Sequence, residues 1–383
     1  MFDTSTIKIS NSAFINNLNF IKARMKKGVR FCSVVKGNAY GHGIAEFTDM
    51  AIKAGVDYFG VYSAEEAYVL RNNTSSNIDI FIMGAADDDA TEWAIKNNIE
   101  FSAFDFTRLN NTLNYSKKHK LKAKIHIEME TGMRRTGFNM EHIPELCKWL
   151  KQNSNHITFQ GLFTHYAGAE SKANQFRITE QISNFKSALK MFKASDLKPI
   201  YTHSACSAAL LNYPETQGNM VRIGILQYGF WPNIETYTHF TENSSNTNNK
   251  LKRVISWNTR VMGIKDAKKG EFIGYGTTYI AHKNMKIAIL PVGYSHGYSR
   301  NLSNVGSVLI NGEHAPVVGI VNMNCISVDI TKVGKVEKGD EVVLIGNQKK
   351  EAITVSSFSD QSQQLNYELL TRLPVYIPRI VSK

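Results

Sequence analysis

Along the first 230 positions, short β-rich apolar runs alternate with segments of helical period. The opening helix is readable from spacing alone. Phe14, Leu18, Ile21 and Met25 recur at steps of four, three and four and form one apolar stripe, with Asn11 or Ser12 placed to cap it. Strand-like runs follow at 29–35, 58–62, 78–83, 100–103, 124–130, 158–164, 199–203 and 220–223. Ser63 followed by Glu65 and Glu66 reads as a helix start. Eight short strands separated by helix-length segments predict βαβ units and a parallel sheet. An open doubly wound sheet usually carries GxGxxG after its first strand, and none stands there. The count therefore predicts an α/β fold built on a closed (β/α)8 barrel.

After Phe230 the texture changes. Positions 241–250, TENSSNTNNK, predict an exposed loop. Beyond it, β-branched runs lie close together at 256–264, 286–292, 308–310, 316–318, 326–330 and 341–345. Asn311-Gly312 between two apolar runs predicts a tight hairpin, because both residues tolerate positive φ. One late helix is expected over 357–373. The chain thus divides into a TIM-type barrel over 1–240 and a mostly β C-terminal domain over 241–383, the first strand being free to pair with the latter.

The length of 383 residues suits two domains. With 43% hydrophobic and 20% charged residues, wholesale disorder is excluded. Apolar runs such as 287–291 fall far short of the roughly 20 residues that span a bilayer. The start MFDTSTIKISNSAF has no basic segment leading into an apolar core, so a soluble, cytoplasmic protein is expected. Cys32, Cys147, Cys206 and Cys325 form no CxxC pair and read as small buried hydrophobes, not a disulfide framework. The net charge of +12 raises the question of nucleic acid. Its dense basic stretches, 22–27 and 117–124, read as solvated helix ends without the aromatic interleaving that base stacking needs. Small anions suit the charge better.

The densest unusual segment is FCSVVKGNAYGHG, 31–43, where an apolar strand ends in Lys36. A charged lysine there is costly unless paired or chemically used. At the C-terminal mouth of a barrel, a partly desolvated amine has a lowered pKa and can form a Schiff base. The ordinary alternative is a surface lysine before a glycine turn.

VVKGNAYGHG closely resembles the lysine signature of the alanine racemases, enzymes that use pyridoxal 5'-phosphate (PLP) on a (β/α)8 barrel followed by a β domain. The resemblance continues, in the family's order, through METGMRRTGF, THYA, HSACSAAL, NMVRIGILQYG, GYGTTY, PVGYSHGY and LNYELL. It implies that Lys36 holds PLP as an aldimine and acts as one base, with Tyr275 as the other base on the opposite face. Two opposed acid/base groups are the simplest way to remove a proton from one face and return it to the other. By the same resemblance, His165 and Arg222 assist Tyr275, and Arg222 faces the pyridine nitrogen. Tyr40, Ser207 and Tyr367 hold the phosphate through their hydroxyls, and Gly224 and Ile225 through backbone N–H groups. Arg135 binds the substrate carboxylate with the N–H of Met323 as companion, and Tyr294 stands at the entrance. Tyr275 and Lys36 fall in different predicted domains, and in the family the tyrosine of one subunit completes the site of the other, so the resemblance implies a homodimer with shared active sites. No metal is expected.

Three positions depart from the family pattern. Glu128 stands where many members carry a carbamylated lysine, and it could orient Arg135 directly. Ile320 replaces an arginine expected near the substrate entrance, and Asn324 an aspartate expected near the inner site. The expected reaction is racemisation of L- and D-alanine, supplying D-alanine for peptidoglycan. A racemase of serine or of a broader set of amino acids is the alternative. A decarboxylase or a non-catalytic PLP-binding protein fits less well, because neither needs the Tyr275 segment.

Overall fold

A computed structural model describes residues 3–74, 78–243, 251–362 and 366–382. Its strands are β1 (Ser5–Ser10), β2 (Arg30–Val34), β3 (Tyr58–Ser63), β4 (Asp79–Ala85), β5 (Glu100–Ala103), β6 (Ala123–Glu128), β7 (Ile157–Phe163), β8 (Tyr201–His203) and β9 (Met220–Ile223). Strands β2 to β9 form one parallel sheet in the order β8-β7-β6-β5-β4-β3-β2-β9. The remaining gap, between β8 and β9, is bridged by two backbone hydrogen bonds. Asn219 N–H donates to Thr202 O at 3.1 Å and Arg222 N–H to Ala205 O at 3.0 Å. The eight expected strands are all present, each followed by helical structure, as a (β/α)8 barrel requires.

The barrel strands are buried almost without alternation, as in RFCSV and EFSA, because helices cover one face and packed side chains the other. The helix start at Ser63 is as expected: its hydroxyl accepts the N–H of Glu66 at 3.3 Å. The opening helix, Asn11–Lys22, buries Phe14, Leu18 and Ile21.

The second body of structure carries β10 (Ile255–Arg260), β11 (Gly263–Ala267), β12 (Met285–Leu290), β13 (Ser307–Ile310), β14 (Glu313–Pro316), β15 (Ile326–Asp329), β16 (Glu341–Gln348), β17 (Glu351–Ile353) and β18 (Arg379–Ser382). One sheet runs β14-β13-β16-β10-β1-β18 and a second β11-β12-β15. β1 pairs antiparallel with β10 and parallel with β18. By internal contacts the chain separates into a barrel unit, Ala13–Lys36 and Thr48–Lys252, and a second unit, Met1–Ser12, Gly37–Phe47 and Arg253–Lys383. The Asn311-Gly312 hairpin joins β13 to β14, with φ of 55° and 80° at its two residues.

Two expectations are corrected and one is adjusted. The run 256–264 is two strands, because the chain changes sheets within it. Val261 N–H still donates to Asp340 O before β16, while Met262 N–H already donates to Ile289 O on β12. Of the expected late helix over 357–373, the described parts are helical over Val355–Ser362 and Asn366–Thr371, and 363–365 lie outside the described residues. Of the expected loop 241–250, Thr241 to Asn243 end a helix, Ile234–Asn243, and 244–250 lie outside the described residues.

Candidate active site

In the barrel unit, the residues that end or follow the parallel strands converge on Lys36. Strand β2 ends at Val34, and Val35 N–H is still tied to Gly60 O at 2.8 Å, so Lys36 is the first residue free of the sheet. Its side chain has solvent on one side, yet crowding by protein lowers its pKa, and the charges of Arg135 and Arg222 lower it further. A lysine so placed holds more of its amine unprotonated near neutrality than a surface lysine does.

His165, just beyond β7, feels the same field. Burial, then Arg222, Arg135 and Lys36, lower its pKa to about 3, so it is neutral in any ordinary buffer. Arg222, on β9, is buried, and its position is dictated by hydrogen bonds. Nη1 donates to His203 Nδ1 at 2.6 Å and to His203 O at 2.7 Å, and Nη2 donates to Thr164 O at 2.8 Å. Its Nε–H donates to nothing among the described residues. Ser207 opens a short helix after β8, and its hydroxyl accepts Gly224 N–H at 3.1 Å. Gly224 and Ile225 follow β9 directly. The Ser207 hydroxyl and the Gly224 amide thus meet where the chain leaves the barrel, with Ile225 next in sequence, a place where barrels hold anions.

Arg135 is exposed in the loop after β6. The expectation that Glu128 orients it directly is corrected: Glu128 is buried at the end of β6 and accepts the hydroxyl of Thr136 at 2.8 Å, and no Glu128–Arg135 ion pair forms. The Glu128 carboxylate is engaged instead by the hydroxyl of Thr136, the residue next to Arg135. Arg135 acts on it through space, opposing the burial that raises the Glu128 pKa.

The second unit carries the other candidates. Tyr40 and Tyr367 pack against each other with ring centroids 5.9 Å apart. Tyr275 follows Gly274, at φ 78°, and is 72% exposed. Tyr294 and Met323 are exposed as well, and Met323 O accepts both Ser295 N–H at 3.0 Å and Ser295 Oγ–H at 2.7 Å. Asn324 Oδ1 lies 2.8 Å from the same Ser295 hydroxyl, so the aspartate-to-asparagine departure leaves a neutral acceptor there. Ile320 is half-buried near Gly274. The structure therefore gathers Lys36, Arg135, His165, Ser207, Arg222, Gly224 and Ile225 in the barrel unit. Tyr40, Tyr275, Tyr294, Met323 and Tyr367 stand in the other.

Sequence reasoning missed Glu100 and His126. Glu100 opens a strand that is buried throughout, and His126 shares the inward face of β6 with Glu128 by the strand period of two. The available signal was a charged residue inside an otherwise apolar strand, the same signal that singled out Lys36.

The geometry agrees with what the chain resembles. Residues 9–232 match the family pattern described as alanine racemase, N-terminal domain, and residues 254–381 match alanine racemase, C-terminal domain. An alanine racemase of Leptospira interrogans is 33% identical over 383 residues, covering 99% of this chain and 96% of that protein. The solved alanine racemase of Clostridium difficile 630 superposes with a TM-score of 0.91 at 28% identity, covering 100% of this chain and 96% of the other. A histidine racemase from Leuconostoc mesenteroides superposes with a TM-score of 0.88 at 26% identity, covering 100% and 98%.

Proposed function

The chain belongs to the alanine racemase family, and from that premise we propose that it interconverts L- and D-alanine with PLP as cofactor, in the cytoplasm and as a homodimer, making D-alanine for cell-wall peptidoglycan. The observation that carries the reading is the environment of Lys36. An amine of lowered pKa ends a barrel strand, with a buried guanidinium that keeps one donor free and a hydroxyl–amide cluster after β9. These groups fit the three parts of PLP. Lys36 would meet its aldehyde, Arg222 Nε–H its ring nitrogen, and Ser207 with the amides of Gly224 and Ile225 its phosphate, to which the family resemblance adds the hydroxyls of Tyr40 and Tyr367. When bound, PLP supplies an electron sink that makes the α-proton of an amino acid removable.

The chain supplies the rest. Arg135 takes the substrate carboxylate in a planar two-point contact, with Met323 N–H beside it. Lys36 Nζ removes or returns the α-proton on one face, and the Tyr275 hydroxyl does so on the other. Neutral His165 can accept or donate a hydrogen bond but carries no charge to Tyr275 at working pH. Arg222, free to donate through Nε, would disfavour a proton on the ring nitrogen. Because Tyr275 is widely exposed on its own copy, it is proposed to serve Lys36 of a second copy. The approach to the site is the part most open to another substrate, since Ile320 removes a charge at the entrance, Asn324 removes one nearer the inner site, and a histidine racemase shares the fold.

The test is loss of the α-proton signal, by proton NMR, from single L-amino acids incubated in heavy water with PLP-loaded protein, with chiral chromatography of the products. Exchange with D-alanine appearing, abolished in Lys36→Ala and Tyr275→Phe, is the expected result. Preference for serine, histidine or larger substrates would replace alanine in the reading. Full activity in Tyr275→Phe would remove the two-base assignment.

A further inference from the structure

A buried chain of hydrogen bonds runs inward from Arg222 through the barrel core, beyond any residue that could touch substrate. Arg222 Nη1 donates to His203 Nδ1 at 2.6 Å, His203 Nε2 meets His126 Nδ1 at 2.8 Å, and His126 Nε2 meets Glu100 Oε2 at 2.8 Å. Glu100 also accepts Tyr58 O–H on Oε2 and Gln160 Nε2–H on Oε1 at 2.8 Å. All these residues except Tyr58 are buried polar groups set among apolar ones, and Tyr58 is itself buried. Phe81 stacks on His126 with centroids 4.1 Å apart, and Phe163 stacks on His203 at 4.9 Å.

The proton order along this path has a single solution. A guanidinium only donates, so His203 Nδ1 must present a lone pair and its proton sits on Nε2. That proton faces His126 Nδ1, which must then be a lone pair, and the His126 proton sits on Nε2. It in turn requires an acceptor, which the Glu100 carboxylate provides. Adding a proton to either imidazole would set two N–H groups head to head. Burial lowers the pKa of both histidines, in agreement with two neutral rings. Among the described residues no carboxylate lies within ion-pair distance of Arg222; the charge of Glu128 reaches it through space, whereas Glu100 is tied to it only through the hydrogen-bonded path. The packing also reserves the space: a Cβ on Gly161 of β7 would fall 2.0 Å from His126 Nδ1.

We propose that Glu100, His126 and His203 are positioning residues for Arg222. Their one-way hydrogen-bond chain fixes the plane of the guanidinium, so that Nε–H stays aimed at the ring nitrogen of the cofactor. The consequence for the reaction rests on the PLP reading above, whereas the proton order does not. A ring nitrogen that accepts from Arg222 takes no proton of its own, and this limits spread of the electron pair into the ring. Loosening the chain then raises the rate of the side reaction in which alanine leaves as pyruvate and its amino group stays on the cofactor as pyridoxamine phosphate.

Nitrogen-15 NMR of histidine-labelled, cofactor-free protein tests the order directly, with His126→Gln and His203→Gln assigning the signals. Both rings should be neutral, protonated on Nε2, and unchanged from pH 5 to 9. A doubly protonated ring, or Nδ1–H in either, overturns the relay whatever the fate of the PLP reading. In Glu100→Gln the amide can donate, His126 can reverse its tautomer, and the hold on Arg222 fails. Pyruvate formed per alanine racemised, a ratio insensitive to the amount of folded enzyme, should then rise by about tenfold or more. Glu100→Asp, which keeps the carboxylate, serves should the glutamine variant not fold, and its ratio should stay nearer the parent. A Glu100→Gln protein with reversed tautomer and an unchanged ratio overturns the positioning role.

Discussion

Thr136 donates its hydroxyl to the buried carboxylate of Glu128 at 2.8 Å, and this contact opposes the desolvation that raises the Glu128 pKa. Because the folded pKa lies above the usual carboxylate value, the folded state favours the proton. The associated stability is present at low pH and is lost as pH rises through the raised value. Glu128→Gln should therefore melt higher than the parent at pH 7, the difference shrinking toward pH 4. Under the proposed function it should also raise the KM for alanine, because Arg135 loses the nearby negative charge. Thr136→Val should move the acid limb of the KM profile to higher pH. Calorimetry and initial rates across pH check both, and an unaltered KM in Glu128→Gln removes Glu128 from the carboxylate site.

The loop that bears Arg135 is tied down by a different carboxylate. Glu130 accepts the backbone N–H groups of Gly132, of Arg134 at 2.6 Å and of Arg135 at 3.3 Å. Three donors on one side chain fold the loop back on itself, and hydrogen bonds to a charged group are worth about 1.5–3 kcal/mol each. Glu130→Ala should raise the KM for alanine about tenfold with a smaller change in kcat, since the loop must reorder at each binding event. Glu130→Gln, still an acceptor, should fall between. Equal losses in kcat and KM in both variants would point to general unfolding instead.

Buried histidines, and the half-buried His165, give the protein an acid-sensitive stability. His42 is held at about 4 and His165 at about 3, and His126 and His203 are also lowered, burial being the first cause in each case. Each is neutral when folded and charged when unfolded below about pH 6.5. Stability is therefore full above the unfolded value and falls as pH drops toward the folded one. Each histidine adds up to about 1.4 kcal/mol per pH unit in that window. Urea unfolding should show markedly lower midpoints at pH 5 than at pH 7. His42→Asn, whose amide can still donate to the carbonyls of Ala39 and Tyr40, should flatten the dependence by roughly one proton. The same slope in that variant would show that His42 is not among the groups responsible.

What could be read in the sequence follows from how each feature is encoded. Strands of a covered parallel sheet are apolar throughout, so β2 to β9 stand out as runs, and residues such as Lys36 and Arg222 are marked by sitting in or just after them. The relay was hidden, because Glu100 and His126 have no local partner. Their partners arrive from strands 26 to 77 positions away, and only closure of the barrel brings them together. The break at Val261-Met262 was hidden for the same reason, since a change of sheet leaves the β pattern intact. Least legible was the turn after Lys36, where Asn38, Ala39 and Tyr40 all have φ near 54°. Neither alanine nor tyrosine signals a left-handed conformation.

That turn sets the sharpest stability test. Three successive non-glycine residues in left-handed geometry cost roughly 1–2 kcal/mol each, which the surroundings must offset. Gly41 N–H donates to Gly37 O at 3.0 Å and Ile44 N–H to Asn38 Oδ1 at 2.8 Å. Gly41 O accepts from Arg379 Nη2 at 3.1 Å. A Cβ on Gly41 would lie 1.9 Å from Leu370 O, in the helix Asn366–Thr371 that carries Tyr367. Gly41→Ala must therefore displace that helix and pull Tyr367 from Tyr40. Gly55, at φ 85° with nothing within 4 Å, supplies the control. Gly55→Ala should cost only the backbone penalty of about 1–2 kcal/mol. Gly41→Ala should cost about 4 kcal/mol or more, in the range reserved for a clash against backbone, and under the proposed function should also weaken binding of the cofactor phosphate. Thermal unfolding of both variants beside the parent decides it, and equal melting temperatures would show that the turn carries no such constraint.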